Sequence, residues 1–361
     1  MNKKRVLIVT VSLSSGGLER IVANIANRFS NKGCEVLILT LLNPNGEVFV
    51  KLEDDVKYIN FKDIKVNASG MDKFKTTLKW ISFIKQNIND FDPDYILAMT
   101  IKIGSMVIIA NKKRRARVVV REISDPKSKA RNQLMNKICF HYCKKADGFI
   151  FQTDWERSCF PKRIQRIGKV IPNPAVLSEY AVTPKRNAIV TMGRLLNFQK
   201  CHLDLIKAFS IFKKNHPEYV LEIYGEGPDK VVDEELVAKL NLTDSVRFMG
   251  ACKNVHSQIK DAKCFILTSD YEGLSNALLE AYLMGIPSIS SDWPGVSEVI
   301  NDRVDGLIVK RGDINGYAKA MSEICDNEEL AYKLSENAKK QKNKYDSEEV
   351  FSKYISMIEG S

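Results

Sequence analysis

Short apolar runs alternate with longer helix-length segments in two series along the chain, and this alternation is the strongest constraint on the fold. The first series includes RVLIVTVSL, CEVLILTLL, DYILAMT, ARVVVRE and DGFIFQT, and the second includes NAIVTMGRL, YVLEIYGEG, SVRFMG, AKCFILTSD and IPSISSD. Such runs are typical of buried strands joined by crossover helices in a parallel sheet. The sequence therefore predicts two doubly wound α/β domains, which bind ligands outside the carboxyl ends of their strands.

The break between the two series marks the predicted domain boundary. A chain of 361 residues exceeds what one hydrophobic core usually organises. Between Ile171 and Arg186 three prolines interrupt any periodicity, which is typical of a linker. We predict an N-terminal domain over residues 1–175 and a C-terminal domain over residues 176–345. A final helix, over residues 346–361, is predicted to return to the first domain.

Composition excludes several classes of protein. No stretch reaches 18 uncharged apolar residues, which argues against a transmembrane helix. The N-terminus MNKKRVLIVT has no small-residue cleavage site and is interpreted as a first strand. The eight cysteines include no Cys-x-x-Cys pair, which fits free thiols in a reducing compartment. We therefore expect a cytoplasmic protein.

Charge is distributed unevenly between the two halves of the chain. Residues 1–180 hold 32 Lys and Arg against 17 Asp and Glu, whereas residues 181–361 hold 23 against 27. Residues 126–145 are predicted to form a helix in which apolar side chains lie among lysines. Such a helix suits an anionic membrane surface or a lipid diphosphate, with Lys127, Lys129 and Arg131 as the candidate membrane contacts. A solvated basic face is the open alternative. A nucleic-acid partner is not expected, because no recognised binding module or aromatic stacking array is present.

Two turns have the composition of phosphate sites. Gly16 and Gly17 stand where the first strand gives way to a helix, so the main chain can approach an anion closely. In TMGRLLNFQK, Gly193 ends a strand, and the cations Arg194 and Lys200 can converge on a diphosphate. An ordinary tight turn and an ordinary solvated loop are the respective alternatives.

The stretch SDYEGLSNALLEAYLMGIPSISSD combines a helix start with two glutamates. Ser275 is a predicted N-cap, and the next three residues offer unpaired N–H groups to an anion. Glu280 stands in an apolar helix, where an unpartnered carboxylate is costly to bury. We therefore predict that Glu280 binds the hydroxyls of a ribose and that Glu272 binds those of a second sugar.

Taken together, these segments resemble the retaining glycosyltransferases of family 4, which have the GT-B fold of two Rossmann-like domains facing a central cleft. The resemblance rests on the Gly16-Gly17 turn, IPNP, GRLLNFQK, YGEGPD, VRFMG and EGLSNALLEA, in this order and at these intervals. It implies a UDP-sugar donor held mainly by the C-terminal domain, retention of anomeric configuration, and no metal or other cofactor.

The resemblance also implies roles for individual residues. Arg194 and Lys200 would hold the diphosphate, Glu272 the donor sugar and Glu280 the ribose, and the first three are the candidate catalytic residues. The remaining candidate donor contacts lie in the glycine turns, beside the base and around the helix start: Gly16, Gly17, Gly193, Phe248, Gly273, Leu274, Ser275, Asn276, Ala277 and Leu278.

Two departures from the family pattern concern the turn after Lys200 and the acceptor. Many members have glycine where this chain has Cys201. Many also carry a histidine after the strand here predicted as ARVVVRE, where this chain has REISDP. That segment is similar to the ERNDP-type segment of enzymes that extend undecaprenyl-diphosphate-linked oligosaccharides, with Glu122 and Asp125 matching and Ile123 replacing its arginine. Glu122 and Asp125 are therefore candidate acceptor residues.

The predicted function is transfer of a hexose or N-acetylhexosamine from a UDP-sugar to a polyprenyl-diphosphate-linked glycan in O-antigen or capsule synthesis. The enzyme is expected to be peripheral at the inner face of the cell membrane. A UDP-sugar epimerase of the same architecture and a noncatalytic sugar-nucleotide-binding module are the alternatives. An epimerase turns over its donor without an acceptor, which distinguishes it from a transferase.

Overall fold

The computed structural model describes residues 3–13, 17–43, 48, 51–62, 70–113, 115–123, 125–127, 133–175, 177, 185–252 and 254–360. The chain divides into two compact units. Unit 1 comprises residues up to Asn173 together with those from Glu348 onward, and unit 2 comprises Pro174–Ser347. The chain therefore passes between the units twice, after Asn173 and after Ser347.

Unit 1 is an α/β unit. Its strands are β1 (Arg5–Thr10), β2 (Glu35–Thr40), β3 (Val56–Asn60), β4 (Tyr95–Ala98), β5 (Arg117–Arg121), β6 (Gly148–Phe151) and β7 (Gly168–Val170). Its helices before the first crossing are α1 (Gly17–Asn31), α2 (Gly70–Phe91), α3 (Ile101–Ala110), α4 (Gln133–Cys143), α5 (Asp154–Ser158) and α6 (Lys162–Ile167).

Unit 2 repeats the alternation. Its strands are β8 (Arg186–Met192), β9 (Val220–Tyr224), β10 (Val246–Gly250), β11 (Ala262–Leu267), β12 (Ser288–Ser291) and β13 (Leu307–Val309). Its helices are α7 (Asn197–Lys200), α8 (His202–Phe212), α9 (Lys230–Lys239), α10 (Val255–Ile259), α11 (Asn276–Leu283), α12 (Ile314–Asp326) and α13 (Glu328–Lys339). Two 3-10 helices, Val296–Glu298 and Lys340–Tyr345, complete unit 2, and α14 (Ser347–Glu359) ends the chain.

The described strands of each unit form one parallel sheet. In unit 1 the order is β3-β2-β1-β4-β5-β6-β7, with Val6 opposite Val36 and Tyr95 in the two central pairings. In unit 2 the order is β10-β9-β8-β11-β12-β13. Both orders reverse direction at the first strand of the unit, β1 or β8, so the carboxyl ends beside that strand form the crevice where doubly wound sheets bind ligands. The prediction of two doubly wound sheets is confirmed.

Each sheet is covered on both faces by buried apolar side chains. In unit 1, one face packs against α2, α3 and α4 and the other against α1 and α14. Val6, Leu7, Ile8 and Val9 of β1 are all completely buried, as expected for a central parallel strand. Helix α14 contributes Val350, Phe351, Tyr354 and Ile358 to the second cluster. Burial of these side chains ties the last helix to unit 1.

Among the described residues, no helix combines the length and the apolar character needed to cross a membrane. The basic segment also differs from its prediction. The predicted helix over 126–145 is wrong at both ends, because α4 begins at Gln133 and ends at Cys143. Pro126 and Lys127 lie in a turn, which is closed by a hydrogen bond from the Lys127 N–H to the Asp125 carboxylate at 2.7 Å.

Candidate active site

The loop that follows β11 carries Glu272, and hydroxyl groups hold its backbone. The Thr268 hydroxyl donates to the carbonyl of Lys200 at 2.9 Å, and the Ser291 hydroxyl donates to the carbonyl of Ser269 at 2.6 Å. The Ser269 hydroxyl in turn donates to Glu272 Oε1 at 2.6 Å. These side chains are buried, so their hydrogen bonds have little competition from water. The Glu272 carboxylate is therefore fixed at the carboxyl edge of the sheet.

Lys200 forms an ion pair with Glu272. Lys200 Nζ lies 2.5 Å from Glu272 Oε1, and the two side chains are 13% and 8% exposed. A pair so well shielded from solvent holds both groups in one place, but it also desolvates two charges at a cost. The structure thus brings together two of the three predicted catalytic residues, although they are 72 positions apart in the sequence.

The residue after Lys200 is cysteine where many family members have glycine, and its backbone conformation is one that glycine favours. Cys201 joins α7 to α8 with φ 54° and ψ 42°, the left-handed conformation that glycine adopts without strain. A side chain in this conformation costs about 1–2 kcal/mol. The turn is therefore preserved in this chain with cysteine in place of glycine. Burial raises the pKa of the Cys201 thiol to about 11, so it is neutral at pH 7.

The loop that carries Arg194 is built by close backbone contacts. The N–H of Gly193 donates to the Tyr224 carbonyl at 2.9 Å, and the N–H of Leu195 donates to the main-chain carbonyl of Glu226 at 3.0 Å. A Cβ on Gly225 would lie 1.9 Å from the Gly193 carbonyl oxygen. The second glycine of YGEGPD is similarly confined: a Cβ there would lie 2.2 Å from the Leu195 carbonyl oxygen. The loop is thus rigid, whereas the Arg194 side chain is exposed and forms no ion pair with the described residues.

Helix α11 begins as predicted. The Ser275 hydroxyl accepts a hydrogen bond from the N–H of Leu278 at 3.4 Å, which confirms the N-cap. Leu278 is fully buried, whereas Asn276 and Ala277 are partly exposed. After the helix, Gly285 has φ 75°, the left-handed conformation in which glycine commonly follows a helix end. The partial positive charge of the helix start therefore lies on the sequence segment that directly follows Glu272.

Glu280 has a protein partner that the sequence did not reveal. Its Oε2 lies 2.8 Å from His256 Nε2, and both side chains are 11% exposed. The expectation that burial of Glu280 requires a ligand is therefore incomplete, because His256 supplies a hydrogen bond from α10. The only available signal was the scarcity of histidine, with four in the chain. The binding of a ribose by the Glu280 carboxylate stays a prediction.

The other predicted donor residues lie at different depths. Gly17 is the first residue of α1, and Gly16 lies outside the described residues. Phe248 lies in β10, where its partly buried side chain packs against the core of unit 2. Gly273 and Leu274 are buried in the turn before α11, and Leu274 packs against a core cluster. For Leu274 and Phe248, packing in the core accounts for the apolar side chain.

The predicted acceptor and membrane residues lie in unit 1. Glu122 is completely buried, and its Oε1 accepts a hydrogen bond from the N–H of Ile123 at 2.8 Å. Asp125 is 4% exposed and closes the turn described above. Lys127 is exposed, whereas Lys129 and Arg131 lie outside the described residues.

Two polar groups near Lys200 were not anticipated. Arg311 Nη1 donates to the Asp270 carbonyl at 2.8 Å, which fixes the start of the Glu272 loop. Asn197 opens α7, and its side chain donates to Asp233 Oδ1 at 2.7 Å and accepts from the N–H of Leu203 at 3.1 Å. Asn197 therefore fixes the turn that carries Lys200.

Burial shifts the pKa of two titratable groups around this turn toward the neutral form of each group. Burial raises the pKa of Asp233 to about 6, although the Asn197 hydrogen bond acts against the rise. Burial, followed by the charge of Lys200, lowers the pKa of His202 to about 4. His202 is therefore neutral at pH 7, and the charge beside Glu272 belongs to Lys200. Within the described ranges, no group of three or more His, Cys, Asp or Glu side chains is arranged to hold a metal ion.

Taken together, Arg194, Lys200 and the start of α11 offer two cations and a helix dipole at the carboxyl edge of one sheet. Such a set suits an anionic group with several oxygens, and Glu272 and Glu280 supply acceptors for hydroxyls.

Comparison with known proteins identifies the class to which this architecture belongs. The profile of glycosyltransferase family 4 matches residues 15–179, and that of glycosyl transferases group 1 matches residues 177–341. Anabaena HepE, solved in complex with UDP and glucose, superposes with a TM-score of 0.83 at 16% identity, covering 99% of this chain and 100% of that chain. The protein belongs to the family 4 type of glycosyltransferases and has the GT-B fold.

Curated relatives of the chain include enzymes of glycan assembly. An α-1,4-N-acetyl-D-galactosaminyltransferase of Campylobacter jejuni, named for a glycan on PP-undecaprenol, is 26% identical over 98% of both chains. The amylovoran biosynthesis glycosyltransferase AmsD of Erwinia amylovora is 23% identical over 99% of this chain and 100% of its own.

Proposed function

We propose that the protein is a retaining glycosyltransferase that moves a hexose or N-acetylhexosamine from a UDP-sugar to a polyprenyl-diphosphate-linked glycan. The observation that carries the proposal is the buried Lys200–Glu272 pair, 2.5 Å apart, on the loop that leads into the capped start of α11. One partner of this pair suits a phosphate and the other suits sugar hydroxyls. The UDP in HepE and the PP-undecaprenol in the name of the Campylobacter relative support this choice of donor and acceptor.

In the proposed reaction, the bond between the anomeric carbon and the diphosphate oxygen breaks as the acceptor hydroxyl oxygen bonds to the same face of that carbon. The acceptor proton passes to the leaving diphosphate oxygen, so no separate protein base is required. Charge develops on the diphosphate as the bond breaks, and Arg194 and Lys200 stabilise it without a metal. The start of α11 contributes N–H groups to the same charge. Glu272 orients the sugar, and Glu280 binds the ribose beside His256.

We place the acceptor on unit 1, where Glu122 and Asp125 shape the loop after β5. Lys127, Lys129 and Arg131 contact an anionic membrane at the cytoplasmic face, and each cation contributes about 1 kcal/mol near such a surface. Synthesis of O-antigen or capsule is the proposed setting, consistent with the polysaccharide relatives.

A transfer assay tests the proposal. The purified protein is incubated with a panel of UDP-sugars and polyprenyl-diphosphate sugars in the presence of EDTA, and products are followed by mass spectrometry and NMR. We expect one donor to give a glycan extended by one sugar with the donor's anomeric configuration. Interconversion of the donor without an acceptor would instead identify an epimerase, and binding of UDP without any turnover would identify a noncatalytic module.

A further inference from the structure

Unit 1 contains an apolar cavity that none of the proposed donor or acceptor residues lines. Its volume is about 380 Å³. Residues that follow β1, β2 and β4 line one part of it, and α2, α3 and α4 supply the rest. The cavity therefore lies at the carboxyl edge of the sheet. Its apolar lining includes Leu41, Trp80, Ile101, Ile103, Met106 and Met135.

The mouth of the cavity continues into an exposed apolar surface. Met135 and Leu42 line the cavity and are 46% and 40% exposed. On the same face of α4, Ile138 is 46% exposed. Large apolar side chains grouped in this way are typical of a binding surface, whereas single ones are common on any protein.

Positive charge borders this apolar surface. Lys102 lines the cavity, is exposed, and holds its Nζ 5.4 Å from the centre of the Trp80 ring. An occupant that matches both features has an apolar chain attached to an anionic group. A sugar nucleotide lacks the chain, and inorganic phosphate lacks it as well.

We infer that this cavity binds the isoprenoid segment next to the phosphate of a polyprenyl-diphosphate acceptor, with Lys102 beside the anionic group. The inference rests on the proposed function for the identity of the lipid. Burial of the chain supplies the affinity, since each buried methylene strengthens binding by about fourfold. The lipid is thereby held by its chain, and the attached glycan remains available for reaction.

The test compares two soluble probes, geranylgeranyl diphosphate and inorganic pyrophosphate, by titration calorimetry with the full-length protein. Wild type is expected to bind the isoprenoid at least tenfold more tightly. Met135→Trp, which places an indole at the cavity mouth, should weaken isoprenoid binding by about tenfold or more and leave pyrophosphate binding unchanged. Leu42→Trp should act in the same way from the segment after β2, and both positions are exposed enough to accept the larger side chain.

Leu134→Trp is the matched control, because Leu134 neighbours Met135, is 69% exposed and does not line the cavity. It should bind both probes as wild type does. Equal affinity of wild type for the two probes, or equal effects of the substitutions at 134 and 135, would overturn the inference.

UDP affinity, measured on the same samples, separates this inference from the proposed function. The protein could bind geranylgeranyl diphosphate more tightly than pyrophosphate and yet neither bind UDP nor transfer sugar. That result would refute the proposed function and retain the cavity as an isoprenoid site. Transfer to lipid acceptors with an unchanged acceptor KM in Met135→Trp would refute the cavity and retain the function.

Discussion

Replacing Lys200 by alanine is expected to damage both catalysis and stability, for separable reasons. Lys200 Nζ and Glu272 Oε1 are 2.5 Å apart. At an effective dielectric constant of about 20, this separation corresponds to roughly 7 kcal/mol of gross attraction, before desolvation is subtracted. Removing one partner of a buried pair leaves the other charge uncompensated, which costs about 3–5 kcal/mol. Glu272 keeps the hydrogen bond from the Ser269 hydroxyl, which compensates part of its charge, so we expect a loss at the lower end of this range.

Catalysis should fall independently of folding. Loss of one group that stabilises the leaving diphosphate is expected to lower kcat by about a hundredfold or more. Urea unfolding gives the stability, and steady-state transfer at saturating donor gives kcat. The double variant Lys200→Ala/Glu272→Gln removes the uncompensated charge, so it should recover much of the stability and none of the activity. Lys207→Ala, which removes a lysine of α8 whose side chain is 45% exposed, is the control and should change neither quantity. Wild-type kcat in Lys200→Ala would refute the proposed role.

Three further predictions concern Glu280, Asp233 and the basic segment. Glu280→Gln should weaken UDP binding about tenfold and change 2′-deoxy-UDP binding little, because the lost contact is to a ribose hydroxyl; calorimetry measures both. For Asp233, the pKa is raised by burial to about 6, so the folded protein loses stability as pH rises from about 4 to 6. Asp233→Asn should remove this loss and be about 2–3 kcal/mol more stable than wild type at pH 7.5, but not at pH 4, in urea unfolding. For the basic segment, we expect a variant that neutralises Lys127, Lys129 and Arg131 to bind anionic vesicles about a hundredfold more weakly in a sedimentation assay. Its UDP affinity should be unchanged.

Each of these has a distinguishing control. Equal loss of UDP and 2′-deoxy-UDP binding in Glu280→Gln would indicate general damage to the site through His256 and not a ribose contact. A pH-independent difference between Asp233→Asn and wild type would show that Asp233 does not titrate near pH 6. For the basic segment, the matched variant neutralises three exposed cations of unit 2, namely Lys239, Lys319 and Lys333. Equal vesicle binding by the two variants would show that the basic segment is only a solvated face.

The sequence predicted the parts of this molecule that follow from local patterns. The β1 run VLIV is apolar at consecutive positions, so its burial on both faces of a parallel sheet was readable directly. Ser275 precedes an apolar helix and was predictable as its cap for the same reason. These features depend on neighbours within a few residues.

The parts that were not predicted depend on contacts between distant segments. Neither the Lys200–Glu272 pair nor the His256–Glu280 pair can be derived from spacing, because sheet order brings their segments together. The helix predicted over 126–145 was too long because charge and apolar pattern do not encode the turn that Asp125 closes. The left-handed conformation of Cys201 has no local signal in this chain, and only the glycine of many family members at this position marks the turn.

The most direct test of the central claim is a crystal structure of the protein with UDP. We expect the two phosphates within hydrogen-bonding distance of Arg194, Lys200 Nζ and the main-chain N–H groups at the start of α11. A complex in which UDP binds elsewhere on the protein, with these groups facing bulk solvent, would contradict it.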